Sequence, residues 1–276
     1  MLKNPGVERH PIVATATFCS GIVATLGFIL GCAPDQYQIT HLPSSHWNDN
    51  YFYNFEPKQQ APAASVHANV IVVNPFYKEA ESAFVDAIYA KVGKGFSKSM
   101  GVDLDKIIVA KGMTAIGPYA TLDDATYPDK KGADLTLAPR VFLTSDVRMS
   151  ESYDREYNGI GHLEKAFTMK LGGWVAYEMR EPLSGQKMWV KKLELEEREI
   201  KGVEIYEVTV LRRDEYGAVL QWGEGKLVYS GRAEALADAL KAYYPLIMEK
   251  AWTYLNTEEI LDLKEKTKEI RERKVF

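Results

Sequence analysis

The chain has 276 residues, of which 34 are basic and 38 are acidic, and its formal net charge is −4. Hydrophobic residues make up 46% of the chain, which is the composition of an ordinary globular protein. The charge balance excludes the clustered Lys and Arg of a nucleic-acid-binding surface, so no nucleic acid partner is expected.

The N-terminal region has the pattern of an export signal. A polar start with Lys3 and Arg9 precedes an apolar run from Ile12 to Leu30. Such a run is also long enough for a transmembrane anchor, for which about 18 apolar residues suffice. However, no Lys or Arg follows the run until Lys58, so the positive flank typical of a stop-transfer segment is missing. The pattern therefore favours a cleaved secretory signal peptide.

A cysteine stands directly after the predicted cleavage point. The run ends in Ile29-Leu30-Gly31-Cys32, which resembles the lipobox of bacterial lipoproteins. This resemblance implies that cleavage between Gly31 and Cys32 removes residues 1–31. It also implies that acyl chains on Cys32 hold the protein on a lipid bilayer. Two or three long acyl chains anchor a protein stably, whereas a single chain binds only marginally. Ala33 in the second mature position resembles lipoproteins that are exported to the outer membrane.

Residues 32–65 are predicted to form the lipidated N-terminus and a proline-rich tether. Cys32 is the only cysteine that remains after cleavage, so an intramolecular disulfide bond is excluded. Aromatic residues at Trp47 and between Tyr51 and Phe55 are unusual for a flexible linker. They could form a stacking platform for a sugar or a partner, or they could pack back on the folded domain. The second interpretation is favoured, because aromatic side chains exposed on a linker would be an apolar liability.

Residues 66–256 are predicted to form one α+β domain. The apolar, β-branched run from Asn69 to Pro75 predicts a central strand. The apolar spacing over Lys78–Lys98 predicts a helix, and Ile107–Ala110 predicts a second strand. Residues 112–132 contain Pro, Gly and adjacent aspartates, which are typical of a loop.

Strands dominate the middle of the chain. Apolar and polar residues alternate over Leu135–Leu143, which predicts a strand with one dry face, and Pro139 indicates an edge position or a bulge. Residues 145–171 give no assignable pattern. Trp174–Arg180 and Gln186–Leu195 predict a hairpin, because a turn rich in Pro and Gly joins them. Shorter strands are predicted at Val203–Val208 and Lys226–Tyr229.

The C-terminal region predicts two helices. An apolar face recurs from Leu236 to Leu255, and Asn256 is a candidate N-cap for a charged helix over residues 257–276. The apolar stripe of this last helix is narrow, and it consists of Ile260, Leu263 and Ile270. The helix either lies solvated along the domain or contacts a second copy or another envelope protein. On this pattern, deletion of residues 257–276 is expected to leave the fold intact.

The sequence lacks the common catalytic motifs. Gly159-Ile160-Gly161 is followed by Glu164 where a dinucleotide-binding motif requires glycine, and Gly225-Lys226 lacks the remainder of a P-loop. No Gly-x-Ser-x-Gly motif is present, and the histidines are dispersed. We therefore predict neither an enzyme, nor a cofactor, nor a metal site.

The order of these features resembles that of the neuraminyllactose-binding haemagglutinin lipoproteins, the flagellar-sheath adhesins. The resemblance rests on the lipobox, the strand-helix opening, the Tyr127–Leu143 segment, the hairpin with its Glu-Pro-Leu-Ser-Gly turn and the helical pattern over Ala239–Lys274. It implies a mixed, mostly antiparallel sheet packed against helices, with an extended N-terminal tether and a charged C-terminal helix. It also implies a lipoprotein of the outer membrane, at the cell surface or flagellar sheath, that adheres to sialylated host glycans.

The basic stretch that this family uses as its proposed sialic-acid motif is absent. The corresponding place, Thr144–Glu151, does not contain the Lys-Arg-Thr-x-Gln-Lys pattern, so no glycan-binding residue is assigned. One alternative is a structural or assembly lipoprotein that faces the periplasm and binds another envelope component. A further alternative is a carrier of a small ligand, which would require an apolar pocket between the sheet and the helices.

Overall fold

A mixed sheet backed by helices forms the body of the protein, so the predicted α+β class is confirmed. The computed structural model describes residues 51–77, 89–157 and 160–274. All of these residues belong to one compact unit, which runs from Pro43 to Phe276. The strands are β1 (Asn69–Val73), β2 (Phe76–Tyr77), β3 (Thr114–Tyr119), β4 (Leu135–Leu137), β5 (Arg140–Tyr157), β6 (Ile160–Arg180), β7 (Lys187–Arg213) and β8 (Val219–Ser230). The α-helices are α1 (Ala90–Ala110), α2 (Tyr127–Gly132), α3 (Arg232–Tyr254) and α4 (Thr257–Lys274).

Strand β1 lies between two parallel neighbours, β3 on one side and β4 on the other. Strand β4 then pairs antiparallel with β6, and β6, β7 and β8 continue the sheet as antiparallel neighbours. Strands β4 and β5 follow each other along β6, with a break at Ala138-Pro139. Pro139 was predicted to mark an edge or a bulge, and it stands where the strand is interrupted. Proline cannot donate a ladder hydrogen bond, which explains the break.

Strand β1 is buried on both faces. Val70 and Val72 belong to a large apolar cluster with α1, α3 and α4, whereas Ile71 and Val73 belong to a smaller cluster with Ala125 and Ala133, which flank α2. The predicted central strand at this position is therefore confirmed. Strand β4 is likewise buried along its whole length, because Leu135, Thr136 and Leu137 are all fully covered. The prediction that only one face of this segment is dry is wrong for β4, since helical layers cover both sides.

The helix after β1 is displaced from its predicted position. Helix α1 covers Ala90–Ala110, and residues 78–88 of the predicted helix lie outside the described residues. The strand predicted at Ile107–Ala110 is wrong, because these residues form the last turn of α1. Ile107 and Ile108 continue the buried helical stripe of Phe96 and Leu104, so packing outweighs the β preference of this short run.

Strand β3 lies within residues 112–132, which were predicted to be a loop. It pairs with β1 and ends the sheet on that side within the described residues. An edge strand tolerates proline, which is how Pro118 is accommodated. The Gly and Pro residues of this segment were therefore interpreted as a loop, although part of it is a strand.

The predicted hairpin at Trp174 is confirmed and is much longer than expected. Strand β6 pairs with β7 from Gly161 to Arg180, and β5 pairs with β6 from Arg140 to Tyr157. Residues 145–171, which had no assignable pattern, thus belong mostly to two long strands. Pairing with neighbouring strands, which a single sequence does not reveal, determines this region.

Helix α4 begins where the sequence predicts. The Asn256 Oδ1 accepts a hydrogen bond from the Glu258 N–H at 2.8 Å, which confirms the predicted cap. The Glu259 carboxylate does not return to the cap. It accepts hydrogen bonds from the Trp189 Nε1 at 2.8 Å and from the Lys191 Nζ at 2.6 Å instead, which joins the helix to β7.

The apolar stripe of α4 faces the domain's own core. Ile260 and Leu263 are only 2% and 4% exposed and belong to the large cluster, while Ile270 is half-buried. Near the other end of the helix, the Arg271 guanidinium contacts the buried Glu181 carboxylate at 2.9 Å. This packing contradicts the expectation that α4 is separable from the fold. The sequence left a solvated helix and a partner-contacting helix equally open, because the apolar stripe is narrow. A narrow stripe is sufficient here because charged residues of the helix also find partners on the domain.

We expect Leu263→Ala to lower the free energy of unfolding by about 2–5 kcal/mol, because it removes a buried side chain and leaves a cavity. Ile270→Ala on the same helix is the matched control, and it should cost clearly less because Ile270 is half-buried. Urea unfolding followed by circular dichroism measures both values. Equal effects of the two substitutions would contradict the core position of Leu263.

Candidate functional site

A cleft of about 680 Å³ opens at one end of the parallel strands. Its walls come from the chain just after β1, from the end of β3 and from the first half of α1. The residues that matter for its chemistry are Asn74, Tyr77, Lys94, Lys98, Val102 and Pro118. Its volume lies within the range of small-molecule sites.

The order of the connections creates this cleft. The chain leaves β1 towards α1 on one face of the sheet, and it leaves β3 towards α2 on the opposite face. Because β1 and β3 are adjacent and parallel, the two connections diverge at the same edge. Such a divergence leaves a crevice outside the carboxyl ends of the strands, which is the usual ligand position in open α/β sheets.

Backbone contacts hold the ends of β1 and β3 together at the floor of the cleft. The Asn74 N–H donates to the Tyr119 carbonyl at 2.8 Å. Gly101 of α1 lies so close to Asn74 that a Cβ atom there would be 1.9 Å from the Asn74 Oδ1. A larger residue at Gly101 would therefore displace the Asn74 side chain.

Two hydroxyl groups in the wall of the cleft form hydrogen bonds within the protein. The Tyr77 hydroxyl donates to the Gly93 carbonyl at 2.6 Å, and the Ser97 hydroxyl donates to the Pro75 carbonyl at 2.9 Å. Burial raises the pKa of the Tyr77 phenol well above its usual value, so it stays protonated at neutral pH. These groups fix α1 against the β1–β2 connection.

The charged groups of the cleft are Lys94 and Lys98, which are both exposed. They stand four residues apart on α1, so both side chains are on the same face of the helix. Among the described residues, neither has a carboxylate partner within 4 Å. The cleft therefore carries two positive charges that the described part of the chain does not neutralise.

The described lining of the cleft combines ammonium, amide, hydroxyl and apolar groups. Among these described residues there is no His, Cys, Asp or Glu that could act as a general base or a metal ligand. Elsewhere in the described ranges, no three such residues are grouped closely enough to hold a metal ion. The arrangement is suited to binding a ligand through charge and apolar contact.

The N-terminal segment packs on α1 beside the cleft. The Tyr53 ring lies 5.5 Å from Phe96 and 5.2 Å from Tyr244 between centroids, and the Tyr53 N–H donates to the Ser99 hydroxyl at 3.1 Å. Tyr51 lies against Gly95, next to Lys94. The prediction that these aromatic residues pack back on the domain is confirmed for Tyr51, Tyr53 and Phe55, whereas Phe52 is 69% exposed. The folded region thus begins before residue 66. Trp47 lies outside the described residues.

The predicted site residues do not line the cleft. Gly31 and Cys32 lie outside the described residues, and Ile260, Leu263 and Ile270 belong to α4. The cleft was missed because its residues come from three separate elements and form no motif. Asn74-Pro75 and Gly117-Pro118, each at the end of a parallel strand, were the only local signals.

Comparisons with known proteins give limited similarity. No family model and no curated protein matches the chain. A neuraminyllactose-binding hemagglutinin homolog from Helicobacter pylori is similar in structure with a TM-score of 0.49 and 14% identity, over 78% of this chain and 98% of that chain. Lipoprotein GNA1162 from Neisseria meningitidis has a TM-score of 0.23 and 13% identity, over 64% and 97% of the two chains. These values do not establish a family or a function.

We expect Gly95→Ala to loosen the segment that begins at Tyr51. An added Cβ atom would lie 2.4 Å from the Tyr51 carbonyl oxygen, which is backbone and cannot rotate away. Alanine also favours the helix by about 1 kcal/mol, so the local effect is more informative than global stability.

Hydrogen exchange of the peptide over residues 51–61 measures this effect, and it should become faster in the variant. Gly132→Ala is the matched control, because nothing lies within 4 Å of a Cβ atom at that position. Unchanged exchange in Gly95→Ala would contradict the packing of the segment on α1.

Proposed function

We propose that the protein is a lipid-anchored bacterial envelope lipoprotein whose domain binds a ligand or partner. The observation that carries this proposal is Ile29-Leu30-Gly31-Cys32 at the end of the apolar run. In this proposal residues 1–31 are the signal peptide, and Cys32 is acylated and inserted in the outer membrane. Among the residues that the structure describes, no helix is long and apolar enough to cross a bilayer. In this proposal the acyl chains on Cys32 are the membrane attachment.

The position of the folded region supports this arrangement. Eighteen residues separate Cys32 from Tyr51, where the described structure begins. A fully extended chain of this length reaches about 60 Å, since each residue spans at most about 3.3–3.6 Å. The domain would therefore stay within a few nanometres of the lipid surface. The described lining of the cleft, with two lysines beside apolar side chains, supports a binding role for the domain.

The proposal has two forms, which differ in the face of the outer membrane on which the domain lies. A surface-facing protein would act as an adhesin or a flagellar-sheath component, whereas a periplasm-facing protein would bind another envelope component. Protease treatment of intact cells distinguishes them, because only the surface-facing form is digested.

We expect Cys32→Ala to abolish acylation, because the thiol that receives the lipid is removed. Metabolic labelling with a radioactive fatty acid, followed by gel electrophoresis, should show no label and a larger, unprocessed chain. Cys19→Ala is the matched control, because Cys19 lies within the predicted signal and should not be acylated. Full labelling of Cys32→Ala would overturn the lipoprotein proposal.

We expect the domain over residues 43–276 to show no strong sialic-acid-dependent binding on a glycan array, because the basic motif is absent from Thr144–Glu151. Arrays treated with sialidase provide the comparison. Strong binding that sialidase removes would contradict this expectation and would support the adhesin form through a different site.

A further inference from the structure

We propose that the cleft between β1, β3 and α1 binds an anionic amphiphile. Such a ligand has an apolar body and ends in a carboxylate or a phosphate group. The apolar body would occupy the cleft, and the anionic group would lie between Lys94 and Lys98.

The two lysines select the charge of the ligand. Like charges four residues apart on a helix repel each other, and an anionic group between them relieves this repulsion. An ammonium–carboxylate or ammonium–phosphate contact is stronger than a hydrogen bond between neutral groups. No acidic residue is among the described residues that line the cleft, so none of these competes with the ligand for the two lysines.

The other walls select an apolar body. Ala90, Val102, Pro118 and Ala120 line the cleft, and Val102 is 40% exposed although it is a large apolar residue. Burial of such apolar surface is favourable in proportion to its area. A free inorganic anion would leave these walls in contact with water, so the shape and lining favour an amphiphile.

The tether indicates where such a ligand would come from. Tyr51, the first residue that the structure describes, contacts α1 at Gly95, next to Lys94, so the described chain begins beside the cleft. This step rests on the proposed lipid anchor, which would keep the cleft close to the bilayer. The lipids of that bilayer are then the source of the ligand, whereas its chemical class follows from the lining alone.

The experiment uses the chain from Pro43 to Phe276, which is the compact unit that contains the cleft and both apolar clusters. Isothermal titration calorimetry is performed with decanoate and decyl phosphate below their micellar concentrations. Neutral 1-decanol and inorganic phosphate serve as the two partial ligands. We expect one saturable site for both anionic amphiphiles, with binding at least about tenfold weaker for each partial ligand.

Three variants locate the site. Lys94→Gln/Lys98→Gln should weaken binding of decanoate by about tenfold or more, because both charged contacts are lost. Ala120→Trp should abolish binding, because it fills the cleft from an exposed position outside the core. Lys201→Gln/Lys226→Gln removes two exposed charges from β7 and β8 and should leave binding unchanged. Circular dichroism establishes that each variant is folded.

Lys94→Glu/Lys98→Glu provides a second test of the cleft that does not depend on the folding of Ala120→Trp, and it should abolish binding. Equal affinity for 1-decanol and decanoate would overturn the anionic selectivity. Equal affinity for inorganic phosphate and decyl phosphate would overturn the amphiphile class. Undiminished binding in Ala120→Trp would overturn the location. All these results are independent of acylation at Cys32, so the failure of either proposal can be recognised separately.

Discussion

Burial of β1 on both faces is the constraint on which the rest of the structure depends. Val70 and Val72 pack under α1 and α3, while Ile71 and Val73 pack with Ala125 and Ala133 on either side of α2. A strand that is covered on both sides must lie inside the sheet, with helices on both faces. The connections after β1 and β3 therefore leave in opposite directions, and the cleft opens where they diverge.

The polar contacts of Arg271 show how a charged helix becomes part of the core. The guanidinium contacts the buried Glu181 carboxylate and also donates to the carbonyls of Lys130, Lys131 and Ala133 at the end of α2. Burial alone would raise the pKa of Glu181, but hydrogen bonds from the Ser184 and Leu183 N–H groups and from Arg271 hold it below its usual value. A buried charge is costly unless it is paired in this way, so removal of one partner is strongly unfavourable. The hairpin turn, α2 and α4 are thereby joined at one point.

Short sequence patterns predicted an element correctly where the residues of that element alone specify it. The β-branched run of β1, the Pro-Gly turn after Arg180 and the Asn256 cap all lie where the sequence predicts them. Signals failed where the deciding contact comes from elsewhere in the chain. Ile107–Ala110 has a strand-like sequence but continues the buried face of α1, and Thr114–Tyr119 has a loop-like sequence but pairs with β1. The sequence did not predict that Lys94 and Lys98 line a cleft, because the other walls, such as Pro118 and Asn74, come from distant parts of the chain.

The sequence by itself determined the α+β class and the absence of common catalytic motifs, because these are properties of composition, spacing and short motifs. It also predicted an export signal that ends before Cys32, and it predicted that the aromatic residues near Tyr53 pack on the domain, since exposed aromatic clusters are unfavourable. Only the tertiary structure decided the position of α4, the pairing of the long strands and the existence of the cleft. Each of these depends on contacts between residues that are far apart in the chain, such as Glu181 with Arg271 and Asn74 with Tyr119. A single sequence specifies such contacts only through the packing of the whole domain.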